Sequence, residues 1–143
     1  MLTLHDVLEG ATGIRPTPQE WPDAPLSGVW VDSRLVQPGG VFVALRGEHQ
    51  DGHAFVSDAF SRGARVALVS FWPVTELAYR QVEGRAIPSP PPAEQQGWPL
   101  CIRVPDTLLA LQELAAFWRA RFNVRIVGIT GSVGKTTTKE LTW

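Results

Sequence analysis

The hydrophobic positions of this chain follow two patterns, short β-rich runs and segments with apolar residues three or four positions apart. The runs are bounded by turns rich in Gly, Pro and Asp, and they predict strands over residues 29–31, 41–45, 65–70 and 100–104. Segments with helical spacing lie before, between and after them. This alternation of strands and helices predicts an α/β fold.

Two short helices are predicted in the first half of the chain. Thr3 is a candidate N-cap with an acidic residue at the capping-box position, and Gly10 or Gly13 would end the helix. The second helix is predicted to begin near His53 and to end near Gly63. The positions predicted to face inward are Leu4, Val7 and Leu8 in the first helix, and Phe55, Val56, Ala59 and Phe60 in the second.

A longer helix is predicted after the strand at residues 100–104. Asp106 is its candidate N-cap, and we expect the helix to connect two domains. A β-branched run at residues 124–129 predicts a further strand after it. The face of the helix predicted to point inward consists of Leu108, Leu111, Leu114, Ala115 and Trp118.

Proline interrupts the pattern in two regions. Residues 15–27 contain four prolines and predict an irregular loop. Residues 83–99 contain five and predict a flexible surface excursion. The pattern of residues 71–82 is ambiguous between strand and helix.

Composition limits the class of protein without identifying a function. The chain has 44% hydrophobic and 19% charged residues, which is typical of a soluble globular protein. A net charge of −1 gives no basic field, so we expect no nucleic-acid partner. The first residues lack the pattern of a secretory leader and no apolar run is long enough for a membrane span, so we expect a cytoplasmic monomer without membrane insertion. Cys101, the single cysteine, is expected to be a buried apolar residue.

The segment after residues 124–129 has the pattern of a phosphate-binding loop. Residues 130–136 have the form T-G-x-x-G-K-T, a variant of G-x-x-x-x-G-K-[ST] with Ile129 at the first glycine position. Gly131 and Gly134 would let the backbone approach phosphate oxygens closely. Amides of the turn and of the helix start would donate to those oxygens. A strand leading into such a turn therefore predicts a nucleotide site.

Three side chains of this loop have predicted roles. Lys135 would reach the β and γ phosphates, Thr136 would offer its hydroxyl to Mg²⁺, and Thr137 could add a phosphate hydrogen bond. The simpler interpretation is a Gly-rich turn whose Lys135 is only solvated. Three successive threonines are poor helix formers, which favours the phosphate site. The full predicted set is Thr130, Gly131, Ser132, Val133, Gly134, Lys135, Thr136 and Thr137.

Two separated stretches of the chain carry a resemblance to a known family. The first consists of Asp-Ser-Arg at residues 32–34, Pro-Gly-Gly through Arg-Gly at 38–47, Asp-Gly-His at 51–53 and Gly-Ala at 63–64. The second is the loop at residues 130–136. Together they resemble the Mur ligases, ATP-dependent amide-forming enzymes of peptidoglycan precursor synthesis.

The resemblance extends to one branch of that family. Asp106-Thr107, Ala110-Leu111 and Lys139-Glu140 are most similar to the members that add D-alanyl-D-alanine. Members that add diaminopimelate or lysine are the near alternative. The implied architecture is a small UDP-substrate domain over residues 1–104, followed over residues 105–143 by a linking helix and the truncated start of a mononucleotide-binding ATPase domain.

The resemblance also implies a reaction. ATP and Mg²⁺ would serve to phosphorylate the terminal carboxylate of UDP-N-acetylmuramoyl-tripeptide, and the amine of D-alanyl-D-alanine would then attack. Lys135 would be the catalytic group and Thr136 the metal ligand. We expect the 143 residues to be inactive alone, because the loop would lack the neighbours that preorganise it.

The residues that the resemblance assigns to the UDP moiety are Ser33, Arg34, His49, Gln50 and Asp51. Each has a simpler interpretation that stays open. Ser33 can be a turn residue, Arg34 a surface charge and Asp51 the N-cap of the next helix. His53 is expected to be structural.

Two other functions remain open from the sequence. One is a stand-alone module that binds a UDP-sugar-peptide. The other is a folylpolyglutamate-type ligase with the same loop variant, which the Asp-Ser-Arg segment at residues 32–34 argues against.

Overall fold

The computed structural model describes residues 1–18, 21, 23–84 and 97–131. Its α-helices are α1 (Leu4–Thr12), α2 (Val56–Ser61) and α3 (Thr107–Ala120). Two 3₁₀-helices, Ser33–Leu35 and Gly52–Phe55, lie between the other elements. The strands are β1 (Val29–Trp30), β2 (Val41–Val43), β3 (Val66–Val69), β4 (Arg80–Glu83) and β5 (Leu100–Arg103).

The described strands form one parallel sheet in the order β1-β2-β3-β5-β4. Its central pairing aligns Val66 of β3 with Leu100 of β5, and Val41 of β2 with Val66. β4 precedes β5 in the chain but lies outside it, at the edge of the sheet. The α/β fold class predicted from the sequence is confirmed.

Alternating residues of the strands build a core on each face of the sheet. On one face, Val41, Leu68 and Ile102 are fully buried beneath α1 and α3. On the other face, Phe42 and Ala67 are buried beneath α2. Because both faces are covered, β2, β3 and β5 are apolar at nearly every position, as buried parallel strands usually are. The edge strand β4 is mostly polar.

α1 begins and ends as the sequence predicts. The Thr3 hydroxyl accepts from the amide of Asp6, and the Asp6 carboxylate accepts from the amide of Thr3, which completes a capping box. Gly13 ends the helix with φ of 75° and donates its amide to the Glu9 carbonyl. This left-handed conformation favours glycine.

α3 packs against α1 with a face that only partly matches the predicted one, since Leu111 and Leu114 pack against the core as expected. Its buried residues are Thr107, Ala110 and Leu114, whereas Leu108 is 51% exposed and Ala115 is also exposed. The Thr107 hydroxyl donates to the Ala44 carbonyl at 2.8 Å and thereby fixes the rotation of the helix. The inward positions predicted at Leu108 and Ala115 are therefore wrong, while the one at Leu114 is confirmed.

A glycine allows this close packing. A Cβ atom on Gly10 would lie 2.7 Å from Cδ1 and 3.1 Å from Cα of Leu114. α3 thus shares its core with the residues that precede it, and a domain boundary at residue 104 stays a prediction.

The segment after residue 50 also differs in detail from the predicted helix. It starts as the 3₁₀-helix Gly52–Phe55 and becomes α-helical only at Val56, because Asp51 caps the tighter turn by accepting from the amide of His53. Gly63 has φ of 94° just after α2, which agrees with its predicted place at the helix end. Cys101 is buried as predicted, and burial raises the pKa of its thiol to about 12.

Residues 124–129 contradict the predicted strand. They have no regular secondary structure and are largely exposed, with Val127 at 66%. A strand needs a neighbour for its backbone groups, and none of the described strands pairs with this segment. The predicted excursion at residues 83–99 begins one residue too early, because Glu83 is the last residue of β4. Residues 85–96 of the excursion lie outside the described residues.

Among the helices that the structure describes, none has the length and apolar character that crossing a membrane requires.

Candidate functional site

A cleft of about 650 Å³ opens at the carboxyl ends of β1 and β2. In open parallel sheets this edge is where ligands usually bind, because the loops that leave the strands converge there. The 3₁₀-helix Ser33–Leu35 forms one wall and the loop after β2 forms another. The lining residues are Val31, Asp32, Ser33, Arg34, Phe42, Leu45, Gly47, Gln50, Gly52, Phe55 and Asp58.

Asp32 and Arg34 form a tight pair on the first wall. The Asp32 carboxylate caps the turn by accepting from the amide of Arg34 at 3.0 Å, and it also accepts from Nε and Nη2 of the Arg34 guanidinium at 2.9 and 2.7 Å. These bonds lower the pKa of Asp32 to about 2. The Arg34 side chain remains 78% exposed, so its guanidinium stands at the cleft mouth with free donor capacity.

Ser33 is buried between the first wall and α2. Its hydroxyl hydrogen-bonds the Asp58 carboxylate, which also accepts from Nε of Arg62 at 3.1 Å. The bond from Ser33, followed by that from Arg62, lowers the pKa of Asp58. Ser33 therefore connects the cleft wall to α2, in addition to being part of a turn.

The second wall is a tight hairpin at residues 45–52. The Gly47 amide donates to the Gln50 carbonyl and the Gly52 amide donates to the Leu45 carbonyl, both at 2.8 Å. A Cβ atom on Gly52 would lie 2.7 Å from the Leu45 carbonyl oxygen, so glycine is required there. The structure brings Gln50 to the cleft together with Ser33 and Arg34.

His49 and Asp51, the other two residues predicted for the UDP moiety, do not line the cleft. His49 is exposed and does not line the cleft. Asp51 faces away from it and caps the following 3₁₀-helix, which is the simpler interpretation given above. Desolvation raises the pKa of Asp51, but hydrogen bonds from the amide and ring of His53 and from Arg46 outweigh it, so the pKa is lowered.

His53 is structural, as the sequence predicts. It is 5% exposed, its ring stacks on Phe71, and its two ring nitrogens contact Asp51 and Ser70.

Several cleft residues are absent from the predicted set. Val31 and Phe55 are apolar side chains at the mouth, 53% and 39% exposed. Asp58 contributes a carboxylate from α2. Val31 is the last residue of a predicted strand, a signal that could have identified it, whereas Asp58 has no signal in the sequence beyond its place on a helix.

The predicted phosphate loop lies mostly outside the described residues. Thr130 and Gly131 are described and exposed, while Ser132, Val133, Gly134, Lys135, Thr136 and Thr137 fall outside. In the described ranges, no group of three or more acidic, His or Cys side chains is arranged to hold a metal ion. The predicted Mg²⁺ ligand Thr136 stays a prediction.

Comparison with known proteins adds to this geometry. A family model described as "Mur ligase family, catalytic domain" matches residues 25–119. The chain belongs to the Mur ligase family. The matched range contains both walls of the cleft, α2 and most of α3.

Similar proteins carry the names of two kinds of Mur ligase. UDP-N-acetylmuramoyl-tripeptide--D-alanyl-D-alanine ligase of Synechocystis is 41% identical over 119 residues, which is 83% of this chain and 22% of the relative. UDP-N-acetylmuramoyl-L-alanyl-D-glutamate--2,6-diaminopimelate ligase of Syntrophomonas wolfei is 36% identical over 121 residues, which is 83% of this chain and 21% of the relative.

Solved structures of Mur ligases have the same fold. A D-alanyl-D-alanine-adding ligase from Acinetobacter baumannii aligns with a TM-score of 0.61 at 28% identity, covering 96% of this chain and 26% of that one. MurF ligase from Thermotoga maritima, solved in complex with ADP, aligns with a TM-score of 0.54 at 29% identity, covering 79% and 21%. The chain thus spans between a fifth and about a quarter of the length of these Mur ligases.

Proposed function

We propose that this chain holds the UDP moiety of UDP-N-acetylmuramoyl-tripeptide in the cleft at β1 and β2, as part of an ATP-dependent ligase that adds D-alanyl-D-alanine. The observation that carries the proposal is the convergence of Ser33, Arg34 and Gln50 on one cleft at the carboxyl edge of a parallel sheet. The names of the relatives support the substrate and the reaction.

The two sides of the cleft suit different parts of a nucleotide. Val31 and Phe55 offer apolar surface against which a uracil ring could lie. The Arg34 guanidinium offers donors that suit a diphosphate. Asp58 repels phosphate and accepts hydrogen bonds, so we place the ribose hydroxyls near it and the diphosphate toward the exposed donors of Arg34.

The reaction that we propose for the ligase passes through an acyl phosphate. A carboxylate oxygen of the substrate attacks the γ phosphorus of ATP and ADP leaves. The amine of D-alanyl-D-alanine then attacks the acyl carbon, phosphate leaves, and the amine loses a proton. Lys135 and a Mg²⁺ held by Thr136 would neutralise charge on the transferring phosphoryl group.

Nucleotide titration of the chain tests the cleft. We expect UDP to shift the backbone amide resonances of residues 31–35 and 45–52, and ADP to leave them unchanged. Ser33→Ala should weaken UDP binding, because it removes the hydroxyl that joins the cleft wall to Asp58. Leu108→Ala, on the exposed face of α3, is the matched control. If the amide resonances of the cleft residues do not shift at saturating UDP, the proposal is overturned.

A second experiment tests the phosphate loop in the full-length ligase that we propose. Lys135→Ala should abolish ATP-dependent amide formation and leave UDP affinity unchanged, because the cleft lies in a different part of the chain. Lys139→Ala removes the same charge outside the T-G-x-x-G-K-T pattern and serves as the control. Unchanged turnover in the Lys135 variant would show that the loop is not the phosphate site.

The diaminopimelate-adding activity is the second candidate, supported by the 36% identity to the Syntrophomonas wolfei relative. Supplying the full-length ligase with each amine and its matching UDP-muramoyl-peptide separates the two. Product formed with D-alanyl-D-alanine alone would support our first assignment, and product with diaminopimelate alone would replace it.

A further inference from the structure

We propose that His53 is a positioning residue for the UDP cleft, because it fastens the hairpin at residues 45–52 to the carboxyl end of β3. The inference rests on the proposed function for its ligand, but the anchoring itself can be measured without one. His53 does not line the cleft. Its effect on the nucleotide would pass through Gln50 and Gly47, which do.

Hydrogen bonds fix the orientation and the tautomer of His53. The backbone amide of Ser70 donates to Nε2 at 2.9 Å, and an amide can only donate. Nε2 is therefore the acceptor, the ring proton is on Nδ1, and Nδ1 donates to Oδ1 of Asp51 at 2.5 Å. One neutral imidazole thus connects the base of the hairpin to the first residue after β3.

Ring stacking adds a second connection between the same two places. The His53 and Phe71 rings are stacked, with centroids 3.9 Å apart and planes 14° apart. The guanidinium of Arg46, on the hairpin, lies 5.3 Å from the centroid of the Phe71 ring. Nε of Arg46 also donates to Oδ2 of Asp51 at 3.2 Å. Phe71, in the loop after β3, is therefore contacted by both His53 and Arg46, and each of these two residues is bonded to Asp51.

This anchor matters most for the outer residues of the hairpin, because the hairpin contacts the core through Leu45 at its base. Residues 46–50 are exposed, and an isolated two-stranded hairpin is only marginally stable in water. Its own backbone bonds close the turn but do not determine its angle to the sheet. At the base of the hairpin, Leu45 packs against the core that includes Leu68 of β3. Farther out, contacts through His53 and Phe71 join the described hairpin residues to the end of β3.

Substitutions of His53 separate positioning from simple stability. His53→Phe keeps a ring that can stack on Phe71 but removes both hydrogen bonds. His53→Gln keeps an acceptor within reach of the Ser70 amide. Val7→Ala, in α1 on the opposite face of the sheet, destabilises the fold without touching the cleft and is the matched control.

The decisive measurement is the UDP dissociation constant by calorimetry, taken well below the melting temperature of every variant. We expect His53→Phe to weaken UDP binding by about tenfold or more, as the loss of supporting hydrogen bonds does at other sites. His53→Gln should recover part of that loss, and Val7→Ala should bind like the wild type. Wild-type affinity in His53→Phe, or an equal loss in Val7→Ala, would overturn the inference.

Hydrogen exchange of the unliganded chain provides a separate test. The amides of Gly47 and Gly52 close the hairpin, so they should exchange faster in the His53 variants than in Val7→Ala. If the Gly47 and Gly52 amides exchange at the wild-type rate in both His53→Phe and His53→Gln, the inference is also overturned. If the wild type fails to bind UDP but this exchange pattern appears, the proposed ligand is wrong and the anchor stands. Should His53→Phe not fold, His53→Gln carries both measurements.

Discussion

The face of the sheet covered by α1 and α3 differs from the cleft at its carboxyl edge in what holds the residues together. On the side of α1 and α3, apolar side chains such as Val7, Leu8 and Leu114 are buried with almost no exposed surface. At the carboxyl edge beside α2, the cleft is lined by a bonded set of charged and polar side chains, several of them open to solvent. Apolar packing and the proposed binding residues are therefore concentrated in different places.

This separation has a physical reason. Burial of apolar surface is the main source of folding free energy, whereas exposed ion pairs contribute little to it. Pairs such as Asp32–Arg34 instead orient side chains at the cleft, and Asp32 occupies two of the Arg34 donors. Substitutions on the α1 and α3 side should change stability and spare binding, and those in the cleft should do the reverse.

Removal of α3 should have the largest effect. A chain shortened to residues 1–104 lacks α3, so α1 loses the helix that packs against it. The shortened chain also loses the bond from Thr107 to the Ala44 carbonyl. Compared with residues 1–122, we expect its free energy of unfolding to fall by more than the 2–5 kcal/mol, roughly, of one buried leucine truncation. Denaturant unfolding with a single cooperative transition would support residues 1–104 as a domain. Equal midpoints for both lengths would contradict the packing described here.

A single substitution in the same interface should have a smaller effect. Leu114→Ala should lower the free energy of unfolding by about 2–5 kcal/mol, because it leaves a cavity against Gly10. Leu108→Ala, six positions away on the exposed face, should change it by less than about 0.5 kcal/mol. UDP affinity should be the same in both. A weakened affinity in Leu114→Ala would break the separation between the two sides.

The smallest expected effect is in the cleft. Asp32→Asn keeps the cap on the Arg34 amide but releases the guanidinium and removes a negative charge. UDP affinity should rise by about two- to fivefold with little change in stability.

The pH dependence sharpens this test. The pKa of Asp32 is lowered to about 2, so its carboxyl is ionised throughout the neutral range. The advantage of Asp32→Asn should decline in part as the terminal phosphate of UDP takes up a proton at about pH 6, and should be lost only as acid approaches the lowered pKa of Asp32. An advantage that already disappears near neutral pH would show that another group controls the affinity.

Much of the fold follows from local sequence, and the exceptions have identifiable causes. The strands at residues 41–45, 65–70 and 100–104 are apolar at nearly every position, which predicted them well. The face of α3 was not predictable, because the bond from Thr107 to Ala44 joins residues far apart in the chain. The run at residues 124–129 has strand composition, but composition cannot supply a neighbouring strand.

Prediction of the cleft residues divides in the same way, between local sequence signals and contacts made by residues far apart in the chain. Ser33 and Arg34 were placed through a contiguous motif, and Gln50 through its position on the following loop, which also led to His49 and Asp51 outside the cleft. Asp58 was missed because only the packing of α2 brings it to Ser33. The hairpin places Gln50 at the cleft while Asp51 faces away, since successive residues point to opposite sides.

The position of β5 has a consequence for how the chain assembles. β5 is the last of the described strands in the sequence, yet it lies between β3 and β4. During synthesis, the edge of β3 stays open and β4 lacks its neighbour until residues 100–103 have emerged from the ribosome. Such long-range pairing slows folding and leaves strand edges exposed for longer. Assembly of this sheet is therefore a late event, and the nascent chain is most prone to misassociation just before it.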